Sequence, residues 1–76
     1  MKRRNLQKQF AVCVRNEDSE DLEPRKIYQV LPDERAAAEG YLRVIDESGE
    51  DYLYPKGYFI LLELPKEVER ALSIAA

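Results

Sequence analysis

The chain has 76 residues, enough for one small domain, with 15 acidic and 12 basic residues and a net charge of −3. A domain of this size buries only about 60% of its unfolded surface, so little room is left for a substrate pocket of roughly 300–1,000 Å³. Histidine is absent, which removes the commonest general base and metal ligand. The composition therefore argues against an enzyme and against a bound metal or cofactor.

The first eight residues are basic, polar and without periodicity, and we expect them to form a flexible arm. The arm holds four of the twelve basic residues, so the rest of the chain, with 8 basic and 15 acidic residues, carries −7. That remainder should repel phosphate, which leaves the arm as the part best suited to attract RNA. No long apolar run follows the arm, so neither a signal peptide nor a membrane-spanning segment is predicted. The single cysteine cannot form an internal disulfide, which is typical of the cytoplasm.

Two strands separated by an acidic loop are predicted next. The apolar runs F-A-V-C-V-R (10–15) and K-I-Y-Q-V-L (26–31) have the length and β-branched composition of strands. Between them, N-E-D-S-E-D-L-E (16–23) contains Leu22 as its one apolar residue. Cys13 lies between two valines in the first strand, and we interpret it as a small core residue rather than a nucleophile.

A short helix and a hairpin are predicted for the middle of the chain. The segment 33–40 has a capping aspartate, three alanines and a final glycine, which suit one or two helical turns. Strands are predicted at 41–46 and 51–54, on either side of a turn at 47–50 where Gly49 can take positive φ. The carboxylates around this turn are interpreted as turn formers: Asp46, Glu47, Glu50 and Asp51.

The last part of the chain is predicted to form a tight turn at 55–58, a strand at 59–64 and a helix that begins at Pro65. Four apolar residues of this helix recur at the spacing of one helical face: Val68, Ala71, Leu72 and Ala75. Five short strands with frequent turns indicate a mainly β fold, a small barrel over residues 9–64 with the helix 65–76 packed on it.

In this order the pieces resemble a five-stranded Src-homology-3-like barrel, and they are similar to small bacterial proteins of unknown function with that fold. Residues 10–31 look like the family's first strand, acidic loop and second strand, and G-Y-L-R-V looks like its third strand. The run Y-L-Y-P-K-G-Y-F looks like the closing motif, a proline followed three residues later by tyrosine and an apolar residue.

The resemblance implies one core to which all the strands contribute. Strand alternation supports this, since Leu42 and Val44 share one face while Tyr41 and Arg43 share the other. The implied core residues are Ala11, Cys13, Leu22, Tyr28, Val30, Val44 and Phe59, with Tyr54 close to them.

The resemblance also implies a binding surface, because the family holds proline-rich peptides between aromatic residues and a proline. Tyr41, Pro55 and Tyr58 occupy three matching positions, with Tyr41 in place of a tryptophan. The acidic loop matches the segment that meets basic ligand residues in the family. The loop residues expected to attract a basic partner are Glu17, Asp18, Glu20 and Asp21.

Three functions stay open on the sequence alone. The first is non-catalytic binding of another protein, or of a basic or proline-containing peptide, by a monomer or weak dimer. The second is association with nucleic acid or the ribosome through the arm at residues 1–8. The third is a structural role, as an accessory subunit or as a homodimer formed through an exposed strand edge. The simplest alternative to a binding surface is half-buried strand tyrosines beside a solvated acidic loop.

Overall fold

The computed structural model describes residues 9–73, so the basic arm lies outside the described residues. The fold is mainly β, as predicted, with one five-stranded antiparallel sheet and two short helices. The strands are β1 (Gln9–Cys13), β2 (Ile27–Leu31), β3 (Tyr41–Ile45), β4 (Asp51–Pro55) and β5 (Phe59–Leu62). The helices are α1 (Glu34–Ala38) and α2 (Lys66–Leu72), and a 3-10 turn spans Lys56–Tyr58.

The first strand ends two residues earlier than predicted, and the reason is tertiary. After Cys13 the chain leaves its partner β2, and the Val14 N–H donates to the carbonyl of Tyr58 at 2.7 Å. The Cys13 carbonyl accepts from the Arg25 N–H at 2.6 Å, which closes the acidic loop at its base. The extent of an apolar run does not reveal such a change of partner.

The sheet is strongly curled. Its strand order is β4-β3-β2-β1-β5, which puts β4 and β5 at opposite edges. In a flat sheet, four spacings of about 4.8 Å would separate these edges by about 19 Å. The 3-10 turn nevertheless joins β4 to β5 with three residues that rise only about 2 Å each. The two edges therefore converge at this turn, where the rings of Tyr54 and Phe59 lie 6.2 Å apart.

The converging edges do not pair along their length. Within residues 9–73 no ladder connects β4 to β5, so the sheet is open and the closed barrel stays a prediction.

The core fills the inner face of this curl and confirms the expected set of residues. The rings of Tyr28 and Phe59 meet edge to face with their centroids 6.3 Å apart, a favourable geometry for aromatic pairs. Tyr54 and Tyr58 pack against the cluster from its border. The buried cluster consists of Ala11, Cys13, Leu22, Tyr28, Val30, Leu42, Val44 and Phe59.

Helix α1 forms where the sequence predicts it, between β2 and β3. The Asp33 carboxylate caps it by accepting from the Ala36 N–H at 2.9 Å, and Gly40 follows it with φ of 88°. The same carboxylate binds the Arg43 guanidinium of β3 at 2.8 Å. The hydrogen bond from the Ala36 N–H and, second, the one from the Arg43 side chain hold the pKa of Asp33 below its usual range. The cap therefore also fixes α1 to the sheet.

Helix α2 lies against the opposite, outer face of the sheet through Leu72. This residue lines a groove of about 170 Å³ together with Phe10, Ile27 and Ile45. No residue of α2 is buried, and Ala75 of the predicted stripe lies outside the described residues. Among residues 9–73, no helix is long and apolar enough to cross a membrane.

Candidate binding face

Tyr41 and Pro55 are direct neighbours across the β3–β4 ladder, so they lie on the same face of the hairpin. Both are exposed, and this is the outer face, because Leu42 and Tyr54 point inward at the next ladder position. Proline is compatible with this position because β4 is an edge strand. The Lys56 N–H donates to the Gly40 carbonyl at 2.9 Å, which fixes the end of the hairpin beside Tyr41.

Tyr58 connects this end of the hairpin to the acidic loop. It follows Pro55 through the 3-10 turn, and its ring packs half-buried against the border of the core. Its hydroxyl donates to the Glu17 carbonyl at 2.9 Å, a contact between residues 41 positions apart. Its own carbonyl accepts from the Val14 N–H at 2.7 Å. Tyr58 therefore has a structural role at the position where the sequence suggests a ligand contact.

The acidic loop has a defined backbone. The Ser19 N–H donates to the Asn16 carbonyl at 3.0 Å, and the Asn16 side chain donates across the loop to the Leu22 carbonyl at 3.1 Å. Leu22 is only 1% exposed and anchors the loop in the core. All four of the acidic residues proposed for steering are exposed: Glu17, Asp18, Glu20 and Asp21.

We use the term binding face for the candidate surface formed by Tyr41, Pro55 and Tyr58 together with these four acidic residues. Tyr41 pairs with Pro55 across the β3–β4 ladder, and the 3-10 turn leads from Pro55 to Tyr58. The hydrogen bond from Tyr58 to Glu17 then connects this surface to the acidic loop. This arrangement offers exposed apolar surface next to negative charge, which suits a partner with apolar and basic groups.

The sequence analysis missed a buried polar site at the β3–β4 turn. Asp46 is only 5% exposed, and its carboxylate accepts from the Ser48 N–H at 2.9 Å, the Ser48 hydroxyl and the Tyr54 hydroxyl. Burial raises the pKa of Asp46, but the hydrogen bonds from Ser48 and Tyr54 outweigh this effect and lower it overall. Burial and the same Asp46 contact raise the pKa of Tyr54 well above its usual range.

Glu47, the next residue, connects this turn to the end of the acidic loop. Its carboxylate accepts from the Tyr28 hydroxyl at 2.7 Å and binds the Lys26 ammonium at 2.6 Å. Hydrogen bonds from Lys26 and then Tyr28 lower the pKa of Glu47. The Glu23 N–H donates to the Tyr28 hydroxyl at 2.8 Å, and the Glu47 N–H donates to the Asp21 carbonyl at 3.0 Å. The turn thus holds one end of the loop.

One part of this site had a signal in the sequence. The side chain of an aspartate in a turn often accepts from the backbone N–H two residues on, which indicates the bond from the Ser48 N–H to Asp46. The tyrosine partners lie on other strands, and local spacing does not indicate them.

Cys13 is buried, and its surroundings are those of a core residue and not of a nucleophile. Cys13 donates from Sγ to the Arg15 carbonyl at 3.1 Å, and burial raises the pKa of the thiol. A raised pKa lowers the thiolate fraction, and the thiolate is the reactive form.

Comparisons of the chain found no matching protein-family model, no matching curated protein and no matching solved structure.

Proposed function

We propose that this protein is a non-catalytic interaction module with a Src-homology-3-like barrel that binds a protein or a basic or proline-containing peptide in the cytoplasm. The observation that carries the proposal is the hydrogen bond from Tyr58 to Glu17. Through it, the aromatic and proline surface and the acidic loop form one continuous face.

The barrel is supported by the curl of the sheet. β1 pairs with β2 on one side and with β5 on the other, while the 3-10 turn draws the two sheet edges together. A barrel is a sheet that curls around a core until its edges meet, so the convergence of β4 and β5 supports this fold.

The class of ligand follows from surface chemistry. Tyr41 remains 41% exposed beside Pro55, and tyrosine combines apolar area with a polar tip, which is common in binding sites. The described residues carry −7, and the exposed loop carboxylates add local negative charge. Such a field speeds association with a positively charged segment and disfavours an acidic one.

The test is affinity capture from the native cell lysate, followed by a dissociation constant for each captured partner. We compare wild type with the Tyr41→Ala, Tyr58→Ala double variant, with folding checked by circular dichroism. The matched control is Tyr52→Ala, because Tyr52 is a similarly exposed strand tyrosine outside the face, at 49%. We expect the double variant to weaken binding at least about tenfold, as for interface hot spots, while the control binds normally.

If all three proteins retain the same partners with the same affinity, the face is not the binding site. The proposal also predicts that binding weakens at higher salt, because exposed charges are screened. Binding that is unchanged by salt would remove the role of the acidic loop.

A second candidate, self-association, is favoured by the edge strand β5. Its sequence Phe59–Leu62 has no charge or proline, and Ile60 is 56% exposed. Such an edge can pair with a second copy. Sedimentation at increasing concentration should show a dimer that Ile60→Lys disrupts, whereas Leu53→Lys on the other edge strand does not. A monomer at every concentration would eliminate this candidate.

A further inference from the structure

The acidic loop has two halves that are held in different ways. The half closer to β2 is anchored three times: Leu22 is buried, the Asp21 carbonyl accepts from Glu47, and the Glu23 N–H donates to Tyr28. The other half, residues 17–20, which we call the tip, is exposed except for the half-buried Ser19. Its one described hydrogen bond to a distant part of the chain runs from the Tyr58 hydroxyl to the Glu17 carbonyl; its other bonds outside the tip are local, to Arg15, Asn16 and Leu22.

The backbone of the tip is under mild strain. Asp18 has φ of 60°, in the left-handed region that costs a non-glycine residue about 1 kcal/mol. The local bonds of the tip are the Arg15–Glu17 pair at 3.2 Å and the Ser19 hydroxyl to the Glu17 carbonyl at 3.3 Å. Two backbone bonds join them, from the Ser19 N–H to the Asn16 carbonyl at 3.0 Å and from the Leu22 N–H to the Ser19 carbonyl at 3.4 Å. These bonds are all local, so the contact with Tyr58 is the one that ties the tip to the turn between β4 and β5.

A tyrosine hydroxyl has one proton to donate. In the structure that proton is directed at the Glu17 carbonyl. A ligand carbonyl that accepts a hydrogen bond from Tyr58 must therefore take the proton away from Glu17. The ligand and the tip compete for the same donor.

We infer that the Tyr58 hydroxyl is a latch, and that a peptide whose backbone carbonyl binds Tyr58 releases the tip of the acidic loop. This inference rests on the proposed function, because it requires a ligand on the binding face. Release frees the exposed carboxylates of Glu17, Asp18 and Glu20 to move toward basic groups of the ligand. The loop then responds to the ligand instead of only steering it.

The first experiment uses the free protein. Tyr58→Phe removes the latch proton and keeps the ring, and backbone ¹⁵N order parameters report motion of the tip. We expect the values for residues 17–20 to fall from about 0.85, typical of rigid backbone, to below about 0.6. The matched control is Tyr52→Phe, which removes another exposed hydroxyl bond of 2.9 Å, made to Glu50 and not to the tip. Unchanged values in Tyr58→Phe, or an equal fall in the control, would overturn the latch.

The second experiment titrates wild type with a short proline- and lysine-rich synthetic peptide. We expect binding to lower the order parameters of residues 17–20 and leave those of the strands unchanged. If the peptide binds and the tip stays rigid, the latch is overturned and the proposed function stands. If the peptide does not bind, the proposed function fails for this ligand class, and the coupling fails with it. This titration decides the question even where Tyr58→Phe does not fold.

Discussion

The two acidic segments of this protein, the β1–β2 loop and the β3–β4 turn, have similar composition and opposite roles. In the loop, the carboxylates of Glu17, Asp18 and Glu20 face solvent. In the turn, Asp46 is buried and accepts three hydrogen bonds, and Glu47 accepts from Tyr28 and Lys26. Burial and bonding partners, not acidic composition, therefore decide whether a carboxylate stabilises the fold or remains available to a ligand.

The largest expected effect is at the buried carboxylate. Asp46→Ala leaves the Tyr54 hydroxyl and the Ser48 N–H without their acceptor, and we expect a loss of about 2–3 kcal/mol in the free energy of unfolding. Glu20→Ala in the loop should change it by less than about 0.5 kcal/mol. Urea denaturation of both variants measures the difference. Equal losses would contradict the comparison.

The second prediction concerns pH. The lowered pKa values of Asp46 and Glu47 mean that the unfolded state binds protons more readily. Their stabilisation is therefore present above the ordinary carboxyl pKa of about 4 and is lost as pH falls through their lower folded values. Thermal denaturation between pH 7 and pH 2 should show this fall. Asp46→Asn should make the fall in stability with pH smaller, and Glu20→Gln should not. Identical pH profiles for these two variants would refute the assignment of this fall to Asp46.

A smaller effect is expected where the two acidic segments meet. Tyr28→Phe removes the hydroxyl that donates to Glu47 and accepts from Glu23, and we expect a loss of about 1–1.5 kcal/mol. Tyr58→Phe removes an exposed contact and should cost less than about 0.5 kcal/mol. Chemical denaturation of these two variants compares the two ends of the loop. A larger loss for Tyr58→Phe would mean that the tip, not the anchored half, stabilises the loop.

The smallest effects concern the backbone. Both segments contain a residue of positive φ, Gly49 in the turn at 87° and Asp18 in the loop at 60°. Gly49→Ala adds a side chain in open space, so its expected cost of about 1 kcal/mol is conformational. Asp18→Gly should raise stability by about 0.5 kcal/mol, because relief of strain exceeds the added chain entropy. Melting temperatures should move in opposite directions; shifts of the same sign would refute the explanation.

The sequence alone determined the mainly β fold, the acidic loop and the cap of α1 at Asp33, because strand length, turn residues and caps are local properties. The resemblance added the core, from Ala11 to Phe59. Tertiary structure decided the rest. Tyr58 and Glu17 are 41 positions apart, and the partners of Asp46 and Glu47 include tyrosines on other strands. Curling of the sheet brings these groups together, and it separates a buried carboxylate from an exposed one of the same chemistry.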